Sequence, residues 1–199
     1  MRFFAMSLAL VLCAQFLKAQ DSVVSEIFPM KDGSVYYERV IDIDSGSKDE
    51  LYAKVKTWAL DNFRSQKDAL QSDDRELGLL AYRSFFINSF EWPIILGRRI
   101  VGDWQYWSTM KIYLKDNKAK IVIDNVKVNG DNYLPNTSIE NYLSASEEEL
   151  RRNMSGKGYR QKFREKAIEN FRIANQKFAA TIASLTEALK SKSKSEFDF

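Results

Sequence analysis

The stretch Ser47–Phe63, SKDELYAKVKTWALDNF, places the tightest constraint on the fold. Leu51, Val55, Trp58, Ala59 and Asn62-Phe63 recur at gaps of three and four, which gives one apolar helical face. Ser47 followed by Glu50 forms a capping box, so two amides that would otherwise be orphaned are satisfied and the start of the helix is marked. Arg64–Lys67 closes it with basic groups near its negative end. A face carrying an indole and branched aliphatics needs a flat apolar partner. The segments on either side read as strands.

Val35–Ile43 is rich in β-branched and aromatic residues and is bounded by Lys31-Asp32-Gly33 and Asp44-Ser45-Gly46, both turn chemistry. Ala69–Asp73 reads as a short strand, and Asp73–Glu76 as a polar turn. In Leu77–Glu91, Leu79, Ala81, Phe85 and Ile87 share one parity while Leu80, Tyr82, Phe86 and Phe90 share the other. Both sides are apolar, which predicts a central strand covered on each face. Trp92–Trp104 is irregular, with one proline, two glycines and paired arginines between tryptophans. Alternation returns over Gln105–Leu114, and Asp116-Asn117 turns the chain into Ala119–Val128. There the apolar parity slips between Ile123 and Val126, which predicts a bulge at Asp124-Asn125.

Beyond Asn129-Gly130 the character changes. A polar connector leads to Ser146 and Glu149, a second capping-box pattern that predicts a short helix running to Met154. From Tyr159 to about Leu189 an apolar stripe predicts a rod about 45 Å long at 1.5 Å per residue. Its stripe either covers the second face of the sheet or projects and pairs with a second copy; because the rod exceeds a strand of about 20 Å, the C-terminal half is expected to project. Strand, helix, four strands and then helices predict an α+β fold with an antiparallel sheet of five or six strands and helices on one face.

The ends and the charge balance bear on location. Met1-Arg2, the apolar run Phe3–Phe16 and the small residue Ala19 form a secretory leader over residues 1–20. The run is shorter than the roughly 20 apolar residues that span a bilayer. A lipoprotein leader is the rival, since Cys13 stands in the right region, but Leu12 precedes it where Gly, Ala or Ser is required. The expected parts are therefore the leader (1–20), an α+β domain (21–130), a connector with a short helix (131–158), the long helix (159–190) and a tail (191–199). The expected location is periplasmic or extracellular. From Asp21 to Glu149 there are 16 Lys/Arg against 22 Asp/Glu; from Leu150 to Phe199 the count is 12 against 5. The imbalance suggests that the back of the chain folds on the acidic front or meets an anionic partner, while the plainer reading, a solvated helix surface, is favoured.

With the leader goes Cys13, the only cysteine, and the chain holds no histidine. Thiol, Ser-His-Asp and Cys-His catalysis are excluded, as are histidine- and thiolate-held metals. No cofactor or metal is expected. Carboxylate pairs such as Asp42 and Asp44 read as solvent-facing strand ends. Two clusters stand out as binding candidates. Trp92, Arg98, Arg99, Trp104 and Trp107 suggest an aromatic-cationic rim for a sugar or a protein partner. Arg151, Arg152, Lys157, Arg160, Lys162 and Arg164 suggest contact with an anionic lipid or glycan surface; nucleic acid is not expected in an exported protein.

Gly33, Val35, Leu51-Tyr52, Trp58 and Asn62-Phe63 at these spacings, continued by Asp73, Glu76 and Gly78, resemble a family. It is a domain-of-unknown-function family with a TATA-binding-protein-like fold, found in secreted and envelope proteins of Gram-negative bacteria. The resemblance covers roughly residues 27–128 and implies an antiparallel sheet gripping one helix, to which the long C-terminal helix is added. It brings no catalytic residues and does not imply DNA binding, since fold and function separate freely. Two readings of function stand: a non-catalytic secreted or envelope-associated interaction module, and a glycan- or small-ligand-binding domain, carboxylate-based hydrolysis included, with a pocket between sheet and helix.

Overall fold

The computed structural model describes residues 23–63, 65–95, 98–130, 136–153 and 157–191. The leader, Cys13 and the tail beyond Ser191 lie outside them.

A helical turn at 23–27 (α1) leads into a small hairpin, β1 (Met30–Lys31) and β2 (Ser34–Val35). Its two-residue turn takes positive φ at both Asp32 (51°) and Gly33 (77°), the twist that suits a hairpin. The main sheet has six strands in the order β3 (Tyr37–Asp42), β7 (Lys118–Asn129), β6 (Arg98–Lys115), β5 (Leu79–Ile95), β4 (Leu70–Asp74), and β8 (Asn136–Ser138) also pairs with β7. All of its pairings are antiparallel. Four helices accompany it: α2 (Lys48–Asn62), the short α3 (Gln66–Ala69), α4 (Ile139–Asn153) and α5 (Lys157–Lys190).

The bulge lies where the parity slip places it. Trp107 pairs with Lys127 and Thr109 with Asp124, so β7 fits one residue more than β6, and Asn125 takes φ +53°. The extra residue restores the odd-numbered apolar run Ala119, Ile121, Ile123 to the core side as Val126 and Val128. It also divides the outer edge of β7, with β3 pairing before the bulge and β8 after it.

The capped helix behaves as its pattern requires at its start and along its face, but it ends at Asn62 with no basic residue in its last turn, and Lys67 belongs to α3. Both halves of the Ser47–Glu50 capping box form, and Leu51, Tyr52, Val55, Trp58 and Ala59 are buried. The helix is not gripped alone. Trp58 Nε1 donates to Ser184 Oγ on α5 at 3.0 Å, and Lys54 Nζ donates to the Leu189 carbonyl at 3.1 Å. Helices α2, α4 and α5 share one continuous core with the even-numbered face of β5 and β6.

The second half of α5 does not project. Phe163, Ala167, Phe171, Ala174, Phe178, Ile182, Leu185 and Leu189 are all buried. The expectation assumed short strands, whereas β5 and β6 run 17 and 18 residues. At 3.3 Å per residue they extend about 55–60 Å, enough to back a 34-residue helix about 51 Å long. The stripe is therefore taken up within the chain. Asn170, 3% exposed, ties helix to sheet by accepting from Asn88 Nδ2 at 3.0 Å and the Tyr106 hydroxyl at 3.1 Å.

Two further expectations are corrected. The second short helix begins at Ile139, and Ser146 lies fully buried within it, so it caps nothing. The irregular 92–104 segment is mostly strand, the far end of the β5–β6 hairpin.

Candidate functional site

All of the packing described so far uses one face of the sheet. Strand β5 is backed by helices on its even side only: Leu80 and Tyr82 are fully buried, while on the odd side the small Ala81 is buried but Phe85 and Ile87 are each 43% exposed. The two-sided apolar pattern read from Leu77–Glu91 is real, but no element among the described residues lies over the odd side. That uncovered face is the strongest candidate for function.

Strand register assembles it. Phe85 pairs across from Trp107, Arg83 from Thr109, and Ile87 from Gln105; on the next strand Trp107 meets Lys127. Phe85 and Trp107 sit with ring centres 4.3 Å apart at 37°, and the Arg83 guanidinium lies 5.6 Å from the Trp107 ring centre. Such an arrangement joins ring-stacking area to a cation. Toward the β6–β7 turn the same face changes into a ladder of ion pairs: Lys111 with Asp124 (2.6 Å), Lys120 with Glu38 (3.1 Å) and Lys118 with Asp42 (3.0 Å). Tyr113, 40% exposed, lies among them under Lys120. The Lys120 ammonium holds the Glu38 carboxyl below its usual range, and Asp124 holds the Lys111 ammonium above its own. The charges at that end are thus paired, although Asp42 stays 82% exposed and Glu38 38%, and the Phe85–Trp107 end is where uncovered rings and a cation coincide.

The residues expected to form one rim are distributed otherwise. Trp107 is on the uncovered face, half-buried. Trp104, three residues earlier, is on the other face and fully buried against Phe90, Tyr142, Phe163 and Phe171. It offers no ring face to a ligand. Arg98 closes the tip of the β5–β6 hairpin opposite Ile95, and Trp92 pairs with Ile100. The side chains of Trp92, Arg98 and Arg99 lie outside the described structure. Phe85, Ile87 and Arg83 were missed because a strand apolar on both sides reads as buried on both sides. Their parity match to Trp107 is visible only once the β5–β6 register is known.

The basic cluster is largely matched by its own helix neighbours. Arg151 and Arg152 both bond Glu148, at 3.0 Å and 3.2 Å, and Arg164 bonds Glu147 across from α5 to α4. Lys162 is exposed and Arg160 half-buried; the Lys157 side chain lies outside the described structure. Glu147–Glu149 falls in the body of α4, where Glu147 and Glu148 hold these arginines.

Between α2 and the sheet, buried side chains including Leu51, Val55, Trp58 and Tyr82 fill the space. A groove of about 410 Å³ lies elsewhere, between β3 and α5. Among the described residues no three acidic side chains converge as a metal site would need, and no helix is long and apolar enough to cross a membrane.

Residues 37–129 match the model of a family described as a domain of unknown function (DUF4468) with TBP-like fold. The chain is also similar to the crystal structure of a DUF4468 family protein from Bacteroides ovatus, with TM-score 0.50 and 12% identity, over 84% of this chain and 93% of that one. A second similar structure is a TBP-like protein from Parabacteroides distasonis, with TM-score 0.47 and 18% identity, over 79% and 96% of the two chains. No curated protein matches the sequence.

Proposed function

Since residues 37–129 match the model of the DUF4468 family, described as a domain of unknown function, we propose from the chain's own surface that it is a non-catalytic, exported interaction module. It receives an envelope protein on the uncovered face of its sheet. The observation that carries this reading is the gathering of Phe85, Ile87 and Trp107 beside Arg83 on a face that no element among the described residues covers. Exposed aromatic and arginine side chains are the types that dominate protein interfaces. The leader over residues 1–20 supports export, and the lack of histidine and of a mature cysteine supports a role in binding rather than turnover.

The double variant Phe85→Ala, Trp107→Ala tests it. Both rings are partly solvated, so the fold is retained while the surface is lost. Affinity capture from envelope extracts with the wild type and the variant, compared by mass spectrometry, should show partners that disappear with the rings. Matching partner sets would rule this face out.

The glycan reading draws support from the same pair, because a tilted ring pair with an adjacent guanidinium suits a sugar ring bearing an anionic group. A glycan array run with the same double variant separates the two, since a protein module has no array signal to lose. Support for an anionic-surface role of the basic cluster is narrower. It rests on Lys162 and Arg160, the other described cations of that cluster being bonded to Glu147 and Glu148.

A further inference from the structure

Strand β3 ends the sheet on its side, and its register with β7 is unbroken from Tyr37↔Ile123 to Asp42↔Lys118. Just beyond it, Ile43 N–H donates to the Asn117 carbonyl at 2.9 Å, so residue 43 belongs to a pair that shares main-chain hydrogen bonds. Alternation along an antiparallel ladder puts Tyr37, Arg39 and Ile41 in the same class. The N–H and C=O groups of Glu38, Val40 and Asp42 therefore point away from β7, to the free edge. Among the described residues no strand pairs with that edge. The opposite edge is guarded: β4 breaks register between Leu70 and Ser72, and Tyr52 and Lys56 of α2 reach its Asp73.

The 410 Å³ groove runs beside β3, lined by Tyr37 and Arg39 on the strand and by Ala179, Ile182, Ala183 and Thr186 on α5. Arg39 has the parity of buried Tyr37 and Ile41 yet is exposed, because α5 presents alanines there and nothing large enough to cover it. A regular free edge with room under its core side is the geometry by which sheets accept an added strand.

We propose that β3 is a strand-addition site for an extended segment of a partner protein, bound antiparallel through the main-chain groups of Glu38, Val40 and Asp42. Its alternate side chains divide by chemistry. Those facing the uncovered side lie across from Glu38, Val40 and Asp42 and are basic, apolar and basic. Those between them enter the groove over Ala179, Ile182 and Ala183 and are apolar. A second copy fits badly: in the two-fold register that uses all the outward groups, Val40 meets Val40 and each Glu38 meets an Asp42. Like charges placed opposite each other destabilise a strand pair.

The probe is the synthetic peptide Thr-Lys-Leu-Val-Leu-Lys-Thr, titrated into the full chain and followed by amide NMR. The amide signals of Glu38, Val40 and Asp42 are expected to shift together and their exchange with water to slow. Val40→Pro removes an outward N–H at a position where an edge strand tolerates proline, and should weaken binding at least about tenfold with the melting curve retained. Replacing both peptide lysines by glutamate should weaken it by a similar factor. Phe85→Ala, Trp107→Ala, three and two strands away, should leave the peptide affinity unchanged, so this site and the ring-bearing face stand or fall separately. The proposal is overturned if a saturating peptide leaves the three amides unmoved, if Val40→Pro binds equally well, or if the glutamate peptide binds as tightly. Concentration-dependent dimerisation of the chain that vanishes in Val40→Pro would assign the edge to a second copy and overturn the partner strand.

Discussion

Gly78 sits in the turn between β4 and β5 at φ +66°, and a Cβ there would lie 2.3 Å from the Leu114 carbonyl oxygen. Its carbonyl accepts from Leu114 N–H at 2.8 Å, so the two backbones cannot part without losing that bond. Gly78→Ala combines a disfavoured backbone conformation with a clash against main chain, at a cost of about 1–3 kcal/mol or more. Urea unfolding measures it, and a midpoint equal to wild type would contradict this account. Glu38 makes a second prediction, in pH. Lys120 first, then the Tyr36 hydroxyl, hold its carboxyl low. A carboxyl depressed in the folded state contributes stability that is complete above its unfolded pKa, about 4.3, and is lost as pH falls through the folded value. The stability gap between wild type and Glu38→Gln should therefore be constant near neutrality and close in the acid range below about pH 4. A gap that stays the same down to pH 2 would show that the ion pair is not its origin.

At the scale of elements, the bulge on β7 decides more than any single contact. With Asn125 retained, pairing β6 and β7 in an uninterrupted register would send Val126 and Val128 to the uncovered face and Lys127 into the core. Each valine would lose burial of roughly 1.5–3 kcal/mol and an unpaired lysine would be buried, so the bulged register wins. Deleting Asn125 removes the surplus residue, keeps both valines on the core side, and is expected to leave a cooperative melt, whereas loss of folding would contradict this account. Asn125→Gly keeps the positive φ and should leave circular dichroism and melting close to wild type. That bulge was legible in the sequence because parity is a local property, and so was α2, whose cap and stripe lie within one continuous segment. The far end of the β5–β6 hairpin was not, since Pro93 and the flanking glycines resemble a loop until two long strands are seen to carry the pairing past them. The site was legible only in part. Trp107 could be singled out by type, but Trp104 has the same type three residues away and the opposite parity, and only the sheet distinguishes the ring in the core from the ring at the surface.

Taken whole, the molecule shows why the matched family segment does not stand alone. Residues 37–129 supply β3 to β7 and α2, yet Tyr37, Phe86, Tyr106 and Trp104 are covered in large part by α4 and α5. Phe163, Phe171, Phe178, Ile182, Leu185 and Leu189 are six large side chains that α5 buries there. At about 1.5–3 kcal/mol each, their loss is on the order of 10 kcal/mol or more. A domain has roughly 5–15 kcal/mol of net stability, so removal of α5 is enough to abolish folding. A chain ending at Gly130 is therefore expected to bind a hydrophobic dye, lose its near-ultraviolet dichroism and show no cooperative melt. A cooperative transition with native-like tertiary signal in that truncated chain would overturn the single-core account. It would also restore the C-terminal helix as a part free to meet a partner, the role that its burial on the sheet now withholds.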